Sequence, residues 1–250
     1  MPSQLEKLEA YSGALLDAFL KLKEIYEILD LMLFDRIVIA NASAGFKARG
    51  FNHLLENLYT NCCQQVAKLA LDSDKRTPSV QNIVEKLDID SLRNELRKSY
   101  AERRFLSKSI TSDPEISEAL ERLALKDQRE RWGQFDEHYA NLLEQWSALS
   151  KSSELSGMAL VRDKVSAHTE IKYAVDKYEP YSLNHSGLKW DDLKKVIERL
   201  KDIVELIGFI VRRAGFAWDI FEENTKHSAL EFWGVNGQKS ITPSQRQHRS

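Results

Sequence analysis

The stretch LEKLEAYSGALLDAFLKLKEIYEIL, residues 5–29, decides the fold class. Its apolar residues Leu5, Leu8, Leu15, Leu16, Phe19, Leu22, Ile25, Tyr26 and Leu29 recur three and four apart, while Glu6, Lys7, Glu9, Lys21, Lys23, Glu24 and Glu27 fill the other side. That period is an amphipathic helix, and its apolar stripe must be buried against other helices. The same spacing recurs down the chain. Phe51, Leu54, Leu55, Leu58, Val66, Leu69 and Ala70 predict a second helix over residues 48–71, stopped by Asp72-Ser73-Asp74 and followed by the loop Lys75-Arg76-Thr77-Pro78-Ser79. Shorter helices are expected over residues 80–87 and 91–107. In Thr111-Ser112-Asp113-Pro114-Glu115 a capping residue, a proline and an acidic first turn start another helix, with Ile116, Ala119, Leu123, Trp132, Phe135, Tyr139, Leu142, Leu143 and Trp146 inward and a potential break at Gly133.

A further helix is expected over residues 156–178, ended by Glu179-Pro180 because the residue before proline is pushed out of the helical region. The last runs over residues 190–223 through Leu193, Val196, Ile197, Leu200, Ile203, Val204, Ile207, Ile210 and Val211. The reading is therefore an all-α, up-and-down helical bundle. Residues 1–224 form a single helical domain, and the polar, period-free residues 225–250 a mobile tail. No repeat at solenoid spacing is present.

Composition narrows the function classes. The 250 residues carry 36 Lys and Arg against 38 Asp and Glu, so the chain is not a strongly basic nucleic-acid packager, although a local basic site remains open to it. The most apolar runs are too short, and too often interrupted by charge, to span a membrane, and the first residues do not read as a signal peptide, so a cytoplasmic protein is expected. The two cysteines, Cys62 and Cys63, are adjacent and badly placed to share a metal or a disulfide. They read as small buried residues on a helix. There is no Gly-rich phosphate loop, no GxSxG and no HExxH, so no metal or cofactor is expected. Acidic pairs such as Asp191 with Asp192 are explained by the helix dipole.

One segment stands apart: Leu160-Val161-Arg162-Asp163-Lys164-Val165-Ser166-Ala167-His168-Thr169-Glu170 sets charged residues and a histidine among apolar ones. On an ideal helix Arg162 and His168 are roughly 9 Å apart along the axis and about 120° apart around it, so they do not share a stripe. Lys164 and His168, four apart, do. Arg131 and His138 offer a second arginine–histidine pair. Sixteen arginines and six histidines make about one such match expected by chance. Trp132, however, follows Arg131 where a polar residue follows Arg162.

Arg162-Asp163-Lys164 with Ala167-His168 resembles the signature of the HEPN superfamily, an arginine, a polar residue, a few further positions and a histidine, and within it the abortive-infection U-type (AbiU-like) branch. The segment Leu69-Ala70-Leu71-Asp72-Ser73-Asp74-Lys75-Arg76-Thr77-Pro78-Ser79-Val80 is similar to the helix end, acidic turn and serine-started helix of that branch. The resemblance spans roughly residues 10–215. It implies a helical bundle that pairs as a two-fold homodimer, joining two motif copies in one cleft, and a metal-independent endoribonuclease that cuts RNA by 2′-hydroxyl attack. In that chemistry His168 is base or acid, Arg162 binds the phosphate, Lys164 adds affinity for the RNA backbone and Asp163 orients Arg162 or His168. The setting it implies is a toxin or phage-defence effector, with room for an antitoxin or another regulatory partner. The alternative is a non-catalytic HEPN-like module that binds RNA or regulates a partner. A related pattern places tyrosine two residues beyond the histidine; here Glu170 stands there, with Tyr173 nearby.

Overall fold

The computed structural model describes residues 3–42, 44–102, 114–166, 171–174, 176–181 and 183–235. Among the described residues the protein is helical, with one short hairpin. Its helices are α1 (Gln4–Phe34), α2 (Arg36–Ala42), α3 (Phe46–Leu71), α4 (Val80–Leu87), α5 (Asp90–Ala101), α6 (Pro114–Ser150), α7 (Ser153–Leu160), α8 (Trp190–Ile207) and α9 (Trp218–Phe232). Between α7 and α8 lie an antiparallel hairpin, β1 (Ile171–Ala174) and β2 (Lys177–Pro180), and a 3₁₀ turn at Leu183–His185.

Local chemistry sets the starts. Ser3 and Glu6 close a capping box on α1: the Ser3 amide donates to Glu6 Oε2 at 2.7 Å and the Glu6 amide to Ser3 Oγ at 3.1 Å. Asp35 Oδ1 accepts from the amides of Ile37 and Val38 and so starts α2. Ser79 and Ser152 cap α4 and α7, and Asp192 accepts from the Lys189 amide at the start of α8. Pro114 opens α6, which runs unbroken through Gly133 for 37 residues.

Two compact units divide the chain. One comprises residues 1–22 and 60–216, the other residues 23–59 and 217–250. In the first, the α1 stripe appears as Leu8, Leu15, Leu16, Phe19 and Leu22, all buried, together with Val66, Ala67 and Ala70 of α3 and the inward row of α8 from Leu193 to Ile207. Helix α6 lies against α5 and α8, burying Phe135, Leu142 and Leu149. In the second, Tyr26, Leu29, Met32 and Tyr59 are buried, Trp233 Nε1 donates to the Ile28 carbonyl at 3.2 Å, and buried Lys23 sits between Glu27 (3.3 Å) and Glu222 (3.6 Å). Burial holds the Glu27 carboxyl above the usual carboxylate range, with the Lys23 ammonium opposing it.

Three sequence expectations are corrected. The helix expected over residues 156–178 ends at Leu160 and continues as a π-helical turn at Val161–Ser166; residues 171–180 instead form the hairpin, in the register Ile171↔Pro180, Lys172↔Glu179, Tyr173↔Tyr178 and Ala174↔Lys177. Ile171, Tyr173 and Tyr178 suit a pleated strand, and Asp176 accepts the left-handed conformation (φ 64°) that the tight turn needs. The helix expected over residues 190–223 breaks into α8, a π-helical turn at Gly208–Arg212 and α9. Arg213 there is left-handed (φ 55°), and a Cβ on Gly208 would meet the Ala214 carbonyl at 3.0 Å. Finally, α9 runs through residue 225 to Phe232, with the buried Thr225 hydroxyl donating to the Phe221 carbonyl, so helix continues past the expected domain edge at 224. Residues 236–250 of the expected tail lie outside the described residues.

Among the described residues no helix is long and apolar enough to cross a membrane. Cys62 and Cys63 are both fully buried on α3, and burial pushes the Cys62 thiol up to about 12. Native protein at mildly alkaline pH should leave both thiols unreacted with an aromatic disulfide reagent, whereas unfolding in guanidinium should release two per chain. Rapid reaction of the folded protein would contradict this packing.

Candidate active site

Helix α7 ends in the motif. Gly157 in its middle is buried, and a Cβ there would stand 2.8 Å from Leu188 Cδ2 and 3.4 Å from the Ser186 carbonyl, so the absent side chain lets the segment before α8 lie directly on α7. Beyond Leu160 the backbone widens to i→i+5 pairing over Val161–Ser166. Val161 stays fully buried while Arg162 and Asp163 turn outward. The ideal-helix angle between Arg162 and His168 therefore does not apply. His168 itself, with Ala167, Thr169 and Glu170, lies outside the described residues.

Arg162 Nε donates to Asp163 Oδ1 at 2.7 Å. Arg162 is one-third exposed and Asp163 more than half, so this pair adds little stability. Its consequence is orientation: Asp163 holds the guanidinium by its Nε, and the terminal amino groups are not the atoms used in this bond. Both side chains line an open depression of about 560 Å³, whose other wall is Gln64, Lys68 and Leu71 of α3 with Asp72 and Ser73 of the following turn. Lys164 does not line it. Its ammonium stands 5.5 Å from the centre of the Tyr181 ring. Tyr181 in turn donates to the His185 carbonyl at 3.0 Å, and His185 Nε2 meets Glu179 Oε1 at 3.0 Å. The bond to His185, and then Lys177, hold the Glu179 carboxyl below the usual carboxylate range.

The turn in the opposite wall is held from the start of α4 by Asn82 and Ser79. Buried Asn82, on the first turn of α4, directs Nδ2 at the carbonyls of Asp72 (3.0 Å), Asp74 (2.7 Å) and Thr77 (3.0 Å), two amide hydrogens serving three acceptors. Ser79 Oγ adds a 2.6 Å bond to the Asp72 carbonyl and accepts from the Asn82 amide. At the tip, Arg76 and Asp74 form a two-point pair, which holds the exposed Asp74 carboxyl low. The turn facing Arg162 is thereby fixed from behind.

Sequence reasoning singled out Arg162 and Asp163, which the fold brings together, and Lys164, which it sends to Tyr181. It missed Lys68, Gln64 and Asn82. Lys68 and Gln64 sit four apart on α3, and their only signal is that polar pair on one face of a helix that stops at Asp72. Asn82 carried a clearer one, an asparagine three residues after the capping Ser79. The second arginine–histidine pair is structural in context: His138 stacks on Phe209 with centres 5.2 Å apart, and Trp132 receives the Arg97 guanidinium at 5.3 Å while Arg97 also grips Asp136. Among the described residues no group of three or more His, Cys, Asp or Glu side chains is placed to hold a metal ion.

A family model described as AbiU2, of the HEPN type, matches residues 5–232. No curated protein and no solved structure matches the chain.

Replacing Asn82 tests the wall directly. Asn82→Leu should cost about 1–3 kcal/mol by chemical denaturation, the price of stranding buried carbonyls. Asn82→Asp should cost more near neutral pH, because a carboxylate would face three carbonyl oxygens. Its folded-state pKa would be raised, so the deficit should shrink as pH falls and grow as pH rises through that pKa. Equal stability of both variants and the wild type would remove Asn82 from this role.

Proposed function

The chain belongs to the AbiU2 family of HEPN type, and from that premise we propose that it is a metal-independent endoribonuclease, acting as a homodimeric toxin or phage-defence effector on RNA. The observation that carries the reading is the meeting of the motif and the acidic turn: residues 71–73 and Arg162 with Asp163 face each other across one open depression, although about ninety positions separate them in sequence. A cleft with an oriented guanidinium on one wall and Lys68 on the other suits a phosphodiester strand.

The chemistry follows from the residues. A base takes the proton of a ribose 2′-hydroxyl, and the oxygen attacks the adjacent phosphorus. The bond from phosphorus to the 5′-oxygen breaks, and an acid protonates that oxygen. A 2′,3′-cyclic phosphate and a 5′-hydroxyl result. His168 takes one proton-transfer role near neutral pH and its symmetry mate the other. Arg162 offers a planar fork to the phosphate oxygens as their charge grows, oriented by Asp163. Lys164, on Tyr181, serves the RNA backbone outside the depression. Pairing about a two-fold axis brings two such motifs into one cleft, so Arg162 need not reach His168 of its own chain. Cytoplasmic RNA is the substrate pool, and an antitoxin or other partner restrains the enzyme.

Two measurements test this. In EDTA, His168→Ala should lower turnover about 10²- to 10⁴-fold, and Arg162→Lys should fall between Arg162→Ala and the wild type. A loss below about tenfold for His168→Ala would remove it from the chemistry. Light scattering of the full chain should give twice 28.8 kDa. A monomer would contradict the shared cleft, and a folded dimer without cleavage would favour the non-catalytic binding or partner-regulating module.

A further inference from the structure

Beside the same turn, two lysine ammoniums meet one aromatic ring, and a third lysine, Lys75, borders it through its backbone carbonyl. Lys7 and Tyr11 lie four apart on α1, and the Lys7 ammonium stands 5.4 Å from the centre of the Tyr11 ring. Lys86, on α4, reaches the same ring at 5.2 Å. The Tyr11 hydroxyl donates to the Lys75 carbonyl at 2.7 Å, which fixes the ring between the two helices and the turn. Around them is a cavity of about 340 Å³, lined by Lys7, Lys75, Lys86 and one carboxylate, Glu85, with Gln4, Asn82 and the apolar Ile89 and Leu92 completing the wall. Glu85 already accepts from Gln81 Nε2 at 3.0 Å.

Bringing ammonium groups together in this way is unfavourable without an anion. Lys86 is held below the ordinary lysine range, by burial first and then by the charges of Lys7 and Lys75, with Glu85 opposing. The Tyr11 ring offsets part of that repulsion through its negative face. The wall carries three positive charges against one negative, in a space at the small end of ligand cavities, which run from about 300 to 1,000 Å³. An anion with several oxygens can accept from all three ammoniums at once; a lone carboxylate, with two, matches the arrangement less well.

We propose that Lys7, Lys75 and Lys86 around Tyr11 form a phosphate-binding site, taking the phosphate of a free nucleotide or polyphosphate or of an RNA strand. The site shares no lining residue with the Arg162 depression and does not depend on the ribonuclease reading. It borders the same turn: Asp72 and Ser73 line one cavity and Lys75 the other, with Asn82 fastening the loop between them.

Calorimetric titration of the full chain at low salt tests it, with inorganic pyrophosphate and a short single-stranded RNA as probes. Pyrophosphate should bind the wild type, weaken by about tenfold or more in Lys86→Gln and in Lys7→Gln, and bind Lys126→Gln, an exposed α6 lysine outside both cavities, unchanged. If the RNA loses a similar factor in the lysine variants, the site takes a strand phosphate. If only pyrophosphate does, it takes a free nucleotide or polyphosphate. Absence of pyrophosphate binding to the wild type, wild-type affinity in both Lys86→Gln and Lys7→Gln, or equal loss in Lys126→Gln would each overturn the proposal.

Discussion

One buried amide, that of Asn82, joins three backbone carbonyls of the turn between α3 and α4, and the arrangement of both cavities depends on it. A turn of this polarity, left to water, samples many conformations. Here Asn82 and Ser79 hold Asp72, Asp74 and Thr77 in one, so the end of α3 and the residues after it become a wall. Arg162 faces that wall from one side. The lysine cluster uses it from the other, since Lys75 belongs to the turn and Lys86 to the helix that Ser79 caps and Asn82 anchors to the turn. The stabilisation is local, and its consequence is the placement of charge.

The motif side is held by a packing constraint of another kind. Gly157 lets Leu188 settle on α7, Val161 is buried, and the chain widens into a π-helical turn that leaves Arg162 outward with Asp163 bound to its Nε. The hydrogen-bonded turn and the guanidinium held by Asp163 leave the depression formed before any ligand arrives; under the proposed ribonuclease function, that is the condition for electrostatic assistance to cost no reorganisation.

Much of the fold was legible because local signals coincided with burial. The stripe of residues 5–29 is the buried face of α1, the Ser79 cap begins α4 where expected, and Pro114 opens α6. The misses have tertiary causes. A helix over residues 156–178 satisfies composition, but the alternation of Ile171 and Tyr173, and of Tyr178 across from them, has a period of two, and the hairpin it forms is tied down by Tyr181, His185 and Glu179. The break after α8 goes with a left-handed Arg213 and a close return of the chain over Gly208, where an added Cβ would stand 3.0 Å from the Ala214 carbonyl. Of the site, Arg162 and Asp163 were legible from their motif. Lys68 was not, because what recruits it is the approach of two distant segments rather than a spacing; Asn82 left a local signal, three residues after the capping Ser79, whose tertiary use only the fold shows.

The central claim is a chemical one: the ribose 2′-hydroxyl is the nucleophile. The most direct test compares an RNA with its fully 2′-deoxy counterpart in EDTA and identifies the product ends. Cleavage of the RNA alone, leaving 2′,3′-cyclic phosphate and 5′-hydroxyl termini, is the expected result. Cutting of the deoxy strand, or 5′-phosphate termini on the RNA fragments, would contradict it.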